Sequence, residues 1–132
     1  MKAGKLTLEK LDQRFSICRL PGNAPVPAWA SGEGFWSVTS SEEEVSIVCS
    51  EHQVPEEIEQ ETGWKAFRVK GLLDMSLTGV LSSLVQPLAD AEISVFTIST
   101  FNTDYLFVKA ERYQDAQSIL ALHCTLENMV RS

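Results

Sequence analysis

Two groups of residues in this chain have the types and spacing to hold a small zwitterion. Leu77, Thr78, Gly79 and Val80 stand where a strand gives way to a predicted helix. Backbone N–H groups at a helix start lack intrahelical partners and favour a carboxylate, and a glycine there permits close approach. Asp104 opens a later predicted strand, and its carboxylate can accept a charge-assisted hydrogen bond from an ammonium group. An amino acid carries both of these charges.

The same residues also have purely structural interpretations. Gly79 can relieve the packing of a helix against a sheet. Asp104 can cap a hairpin turn, because Asx side chains readily bond to nearby backbone. Both interpretations of each residue stay open when the residues are considered alone.

The sequence carries no motif for catalysis or metal binding. It has no Gly-x-Ser-x-Gly elbow, phosphate loop, dinucleotide fingerprint or Cys-x-x-Cys pair. The chain has three cysteines, Cys18, Cys49 and Cys124. They lie mostly in apolar contexts, where burial raises the pKa of a thiol. The consecutive acids of residues 42–44 cannot converge on one ion, and His52 and His123 lack zinc spacing. We therefore expect no enzyme activity, no cofactor and no metal.

Composition and charge exclude several classes of partner. The 132 residues carry a formal net charge of −7, which disfavours nucleic acid and anionic lipid. No apolar run approaches the ~20 residues that span a bilayer, and residues 1–5 lead into the fold without a signal-peptide core. Three widely spaced cysteines are typical of a reduced compartment. We expect a cytoplasmic protein with no nucleic-acid or membrane partner.

Two similar hairpins organise the chain. Residues 37–48 match residues 97–108 almost position for position, and in both an acid opens the second strand. Each hairpin is followed by a predicted helix, at residues 55–63 and 111–122. This repetition predicts one small unit used twice, in the order βαββαβ.

The helix that would position Gly79 is predicted over residues 80–91, where apolar residues recur at helical spacing. Pro87 predicts a kink or an early end near Gln86. Residues 93–100 and 104–109 are predicted as the second hairpin. The remaining residues, 124–132, are predicted as a polar tail, so we expect strand 6–11 to complete the second unit.

Longer segments of the second half resemble a known family. Residues 71–81, 87–89 and 93–105 resemble an ACT domain, of the branch that includes small bacterial double-ACT proteins and the CASTOR arginine sensors. The string Ser-Thr-Phe-Asn-Thr-Asp at 99–104 is its most specific element. Residues 35–48 resemble the first, more divergent module of that branch. The resemblance implies regulation by ligand binding rather than turnover.

The resemblance also implies particular ligand contacts. Thr100, Phe101 and Asp104 are the same residue types that the CASTOR proteins have at the corresponding positions. The resemblance also assigns Ser94 and Val95 to a strand that contacts ligand from the facing module or subunit. The chain departs from the arginine sensors at Leu77, where those proteins have an acid. A guanidinium would lack its partner there, so we expect an apolar or small polar ligand side chain.

Together these observations predict an α+β fold of two interlocked ferredoxin-like (βαββαβ) ACT modules, with antiparallel sheets and helices on one face. The modules are expected at residues 12–63, the divergent N-terminal one, and 64–122, the latter completed by strand 6–11. The predicted function is regulatory, with an amino acid sensed at a module or dimer interface. We expect a homodimer, because neither face of strand 93–100 is polar, and a further protein partner of unknown identity.

A second hypothesis has a different functional class. The chain could be a structural protein–protein interaction module that keeps the ACT shape without a ligand. A polar cavity of ligand size near Gly79 and Asp104 would separate the two hypotheses.

Overall fold

The computed structural model describes residues 6–70 and 79–129, and the chain divides into two compact units. The first unit combines Met1–Asp12 with Lys65–Ser132, and the second is Gln13–Trp64. Within the described residues the strands are β1 Thr7–Lys10, β2 Phe15–Pro21, β3 Ser37–Ser40, β4 Glu44–Ser50, β5 Gln60–Val69, β6 Val95–Ser99, β7 Asp104–Lys109 and β8 Thr125–Asn128. The helices are α1 Val80–Asp90 and α2 Tyr113–Leu120. The predicted α+β fold class is confirmed.

The first unit is built on β1, the second half of β5, and β6 to β8. β1 pairs antiparallel with β5 and parallel with β8, and β7 lies between β5 and β6. Alternation along the strands directs one set of side chains toward the helices. Members of that set and of both helices form one buried core: Leu8, Phe67, Val69, Leu84, Leu88, Leu106, Val108 and Leu120.

Helix α1 runs through Pro87 to Asp90, so the predicted early end near Gln86 is wrong. Proline removes one intrahelical hydrogen bond, but Leu84 and Leu88 on either side are fully buried in the core. Their packing outweighs the lost bond. The helix instead ends at Asp90, and Glu92, two residues later, adopts a left-handed conformation with φ 60°. The Ile93 N–H then donates to the Leu88 carbonyl at 2.9 Å, as in a Schellman motif.

The predicted polar tail is also wrong in part, because residues 125–128 form strand β8. Leu126 lies opposite Leu8 of β1 and packs against the core of the first unit. A four-residue strand of mixed polarity has little local signal of its own. Its structure depends on pairing with a partner far away in sequence.

The second unit contains β2, β3, β4 and the first half of β5. β4 lies between β2 and β3, and all three pair antiparallel. Short 3₁₀ turns occur at Ala28–Ala30 and Glu51–Gln53, and no α-helix occurs among the described residues of this unit. Its core is a separate buried cluster: Cys18, Ala30, Val45, Ile47, Cys49 and Val54.

The helix predicted at residues 55–63 is absent, because β5 already begins at Gln60. Gly63 does not end a helix. It has φ 80° and lies where β5 carries one more residue than β2 between their paired positions. This is the geometry of a β-bulge that a glycine accommodates.

Candidate functional site

A cavity of about 790 Å³ lies in the first unit, between the start of α1, strand β6 and the loop that joins β6 to β7. Its size is within the range of small-molecule sites. Its lining residues are Gly79, Val80, Leu81, Ser82, Val85, Val95, Phe96, Thr97, Ser99, Thr100, Asn102, Thr103 and Asp104.

The start of α1 forms one end of this cavity. Gly79 is the N-cap residue, with φ 79°, and its carbonyl accepts the Ser83 N–H at 2.9 Å. Helix geometry leaves the N–H groups of the first turn without intrahelical acceptors. The macrodipole adds partial positive charge at this point. This end of the cavity therefore favours an anionic group.

Asp104 lines the same cavity as the helix start, at the first position of β7. It pairs with Ser99, the last residue of β6. The Ser99 hydroxyl donates to Asp104 Oδ1 at 2.5 Å. The carboxylate is half-buried, and this bond holds it in one orientation at the rim.

The loop between Ser99 and Asp104 is anchored at both ends. The Thr100 N–H donates to the Thr103 carbonyl at 2.8 Å, and the Thr103 N–H donates to Thr100 Oγ1 at 3.2 Å. The Thr103 hydroxyl donates to the Val69 carbonyl at 2.7 Å and is buried. These bonds fix the backbone on which Thr100, Asn102 and Asp104 face the cavity.

The other end of the cavity is apolar. Leu81 and Val85 of α1 and Val95 of β6 are half-buried and pack against the core of the first unit. Phe96 also borders the cavity, but its ring stacks on Phe107 on the other face of the sheet, with centroids 4.5 Å apart. The helix-facing side of β6 is therefore formed by the alternate residues, from Val95 to Ser99.

The structure brings together part of the predicted site. Gly79, Val80, Val95, Thr100 and Asp104 all line the cavity. Ser94 is exposed outside the lining, and Phe101 is 87% exposed at the loop tip. The remaining two predicted residues, Leu77 and Thr78, lie outside the described part of the chain.

Sequence reasoning missed several residues of the lining. Thr97 and Ser99 follow Val95 at a period of two, which places all three on one face of β6. Val85 lies one helical turn after Leu81, so both reach the same side of α1. Both periodicities are present in the sequence and point to these residues once Val95 and the helix start are taken as site residues.

A smaller cavity of about 530 Å³ occurs in the second unit, lined by Arg19, Leu20, Pro21, Glu43, Glu44 and Glu59. Arg19 forms an exposed ion pair with Glu59, with Nη2 and Oε2 2.7 Å apart. Within residues 6–70 and 79–129, no group of three or more His, Cys, Asp or Glu side chains could hold a metal ion. In the same residues, no helix is long and apolar enough to cross a membrane.

Two buried thiols interact in the second unit. The hydrogen bond with the Cys49 thiol lowers the pKa of Cys18 to about 7, although burial opposes this shift. The same bond, together with burial, raises the pKa of Cys49. The expectation that burial raises the pKa of every cysteine is therefore wrong for Cys18, because its neighbour stabilises the thiolate.

Comparison with known proteins identifies relatives of the whole chain and of its second half. Residues 59–121 match the model of the ACT domain family, and residues 13–57 match a family model described as an N-terminal domain. The crystal structure of protein Atu0741 from Agrobacterium tumefaciens is 32% identical, with a TM-score of 0.90, and the match covers 98% of this chain and 97% of that one. A search of curated proteins finds no match.

Two more distant structures share the fold. The aspartate kinase of Clostridium acetobutylicum, described as an allosteric enzyme, is 12% identical with a TM-score of 0.65. That match covers 92% of this chain and 35% of the enzyme. The regulatory subunit of aspartate kinase from Thermus thermophilus, in its ligand-free form, is 14% identical with a TM-score of 0.59. That match covers 93% of this chain and 99% of the subunit.

Proposed function

Because residues 59–121 match the ACT domain family and the whole chain belongs to the same family as the Agrobacterium protein, we propose that it is a regulatory protein that senses a small amino acid. The ligand occupies the cavity of the first unit. One observation carries this proposal: a helix start and a carboxylate line the same cavity.

The charges at the two sides suit an α-amino acid. The start of α1 favours the ligand carboxylate. Asp104 favours its ammonium group through a charge-assisted hydrogen bond, and the Ser99 hydroxyl keeps the aspartate in place. A ligand that carries both charges at one carbon would meet both sides at once.

The fold neighbours support a regulatory rather than a catalytic role. One is a regulatory subunit and another belongs to an allosteric enzyme. We extend this role to the present chain, and we place it in the cytoplasm, as the cysteine content predicts. A ligand that binds here would shift the equilibrium between conformations of the protein. It would thereby change the affinity of the protein for a partner protein.

The proposed contacts retain the whole predicted set. Gly79, Val80, Val95, Thr100 and Asp104 would contact the ligand from within the first unit. Leu77 and Thr78 lie outside the described residues, and the proposal keeps them as ligand contacts. Exposed Ser94 and Phe101 would add contacts from a second subunit.

A screen of the twenty amino acids by thermal shift tests this function. A ligand that binds only the native state must raise the unfolding temperature. If none does so at millimolar concentration, on the order of a thousand times a micromolar dissociation constant, the chain is better described by the second hypothesis, an interaction module without a ligand.

The Asp104→Asn variant then tests the site. It keeps the shape of the side chain and removes its charge, so it should weaken calorimetric binding of the best amino acid by about 1.5–3 kcal/mol. Asp115→Asn is the matched control, because Asp115 is an exposed acid of α2 that pairs with Arg112. Equal binding by wild type and Asp104→Asn would show that the site lies elsewhere.

We also propose that the chain is a homodimer. Among the described strands β6 pairs only with β7, which leaves its other edge for an isologous contact. Phe101 is exposed on the adjacent loop and would be covered. Sedimentation should detect a dimer at on the order of tens of micromolar protein, and a monomer alone at that concentration would contradict this.

A final part of the proposal concerns domain organisation. We propose modules at residues 12–63 and 64–122, with β1 as an added strand of the second. The family matches at residues 13–57 and 59–121 support these limits, as does the pairing of β1 with β5. A fragment of residues 64–132 should fold only when a peptide that contains β1 is supplied.

A further inference from the structure

The cavity has a direction that the charges alone do not reveal. Helix α1 is followed by a short turn and then by β6, so the two elements run in opposite directions along the cavity. Val85 lies ~9 Å from Gly79 along the helix, and Val95 lies ~13 Å from Ser99 along the strand. Both valines therefore lie at the end away from Asp104.

That far end is built to contact an apolar group. Leu81, Val85 and Val95 are only half-buried, yet each packs against the buried core of the first unit. The core therefore supports their positions while one side of each remains open to the cavity. A ligand carbon chain placed there would remove apolar surface from water on both partners.

The distribution of charge around the cavity disfavours a ligand with a charged side chain. Among the described lining residues, Asp104 is the one with an ionisable side chain. In the proposed function it serves the ligand ammonium at the polar end. A lysine or aspartate side chain would reach the valine end without a partner, and burying an unpaired charge is strongly unfavourable.

We propose that the ligand is an α-amino acid with an aliphatic side chain and that Val85 and Val95 determine its preferred length. This inference rests on the proposed function, because it assumes that the charged groups of the ligand lie near Asp104 and the start of α1. The valines then contact the side chain alone.

A series of ligands on the wild-type protein provides the first test. Calorimetry should show affinity rising about fourfold for each added methylene from L-alanine through L-2-aminobutyrate to L-norvaline. L-lysine and L-aspartate should bind more weakly than L-norvaline. Equal affinity along the aliphatic series, or tightest binding of a charged amino acid, would overturn this inference and leave the proposed function standing.

Two variants locate the effect. Val95→Thr and Val85→Thr keep the side-chain shape and place a hydroxyl at the apolar end. Each variant should weaken the binding of L-norvaline about tenfold while changing the binding of L-alanine little. Val26→Thr is the matched control, because Val26 is 57% exposed in the second unit, and it should bind both ligands as the wild type does.

The outcomes separate the two levels of the account. If the affinities for both ligands fall equally in a folded Val95→Thr protein, the valines do not select the ligand side chain and the inference fails. If circular dichroism shows that one threonine variant is unfolded, the other variant and the ligand series on the wild type still test the inference. If the wild type binds no amino acid at all, the proposed function fails as well.

Discussion

The two units carry similar hairpins but differ in what packs against them. In the first unit α1 lies over β6 and β7, and the gap at its start forms the cavity of about 790 Å³. In the second unit the hairpin of β3 and β4 packs against short turns and a loop, with residues such as Ala30 and Trp29. A repeated hairpin is therefore not sufficient for a cavity of this size, and in the first unit α1 supplies one wall of it.

The chemistry of the two cavities differs in the same way. The cavity of the first unit combines apolar walls with one half-buried carboxylate. That of the second unit is smaller and has three glutamates, one of them in an exposed ion pair with Arg19. Exposed charges are well solvated and give little binding energy. The predictions below test whether ligand binding belongs to the first unit.

The largest effect is expected from truncating the core of each unit. Leu84 in the first unit and Ile47 in the second are both fully buried. Leu84→Ala and Ile47→Ala should each lower the free energy of unfolding by about 2–5 kcal/mol in urea titrations. Below the unfolding transition, only Leu84→Ala should weaken amino-acid binding, because α1 carries one wall of the cavity. Equal weakening by Ile47→Ala would contradict the assignment.

A smaller effect is expected at two glycines with the same conformation. Gly79 and Gly63 have φ 79° and 80°, where an L side chain costs roughly 1–2 kcal/mol. A Cβ at Gly79 would meet no atom of the described residues within 4 Å, and one at Gly63 would lie 3.6 Å from Arg14 Nη2. Alanine at either position should therefore lower stability through backbone strain alone. Calorimetry should show weaker ligand binding for Gly79→Ala only.

The thiol pair predicts a pH dependence that belongs to the second unit. The pKa of Cys18 is lowered from 9.0 to about 7, so between these values unfolding takes up a proton and stability rises with pH. This contribution is lost as the pH falls through about 7. Cys49 has the opposite sign, because its raised pKa makes stability fall as the pH rises above 9.0.

Urea midpoints measured from below pH 7 to above pH 9 should therefore pass through a maximum near pH 9. Cys18→Ser should remove the rise. Cys124→Ser, at a buried cysteine of the first unit, should retain it. A rise that persists in Cys18→Ser would mean that another group causes it.

The smallest effect is expected at the exposed ion pair of the second unit. The side chains of Arg19 and Glu59 are 62% and 67% exposed, so Arg19→Ala should change stability by less than about 1 kcal/mol. It should leave amino-acid binding unchanged. Loss of binding would move the site to the acidic cavity.

Part of the site could be predicted because its signals are local. A glycine between a strand and an amphipathic helix marks a helix start, and an acid at the start of a strand marks the rim of a hairpin. Gly79 and Asp104 fit these local signals. The alternation along β6 that includes Val95 also indicates Thr97 and Ser99.

The errors fall where distant pairing decides the structure. Pro55 followed by two acids is a helix-start signal, but strand pairing with β2 incorporates the residues from Gln60 onward into β5. Strand β8 likewise has little local signal in the sequence, because it is specified by its parallel pairing with β1. The early helix end predicted from Pro87 is wrong because the local proline rule takes no account of the burial of Leu88.

An NMR titration of the wild-type protein with L-norvaline would locate the bound ligand directly. Binding in the cavity of the first unit should shift backbone amide signals mainly in residues 79–85 and 95–104, with only small effects in the second unit. Shifts concentrated instead around Arg19, Glu44 and Glu59, or no shifts with any amino acid, would contradict it.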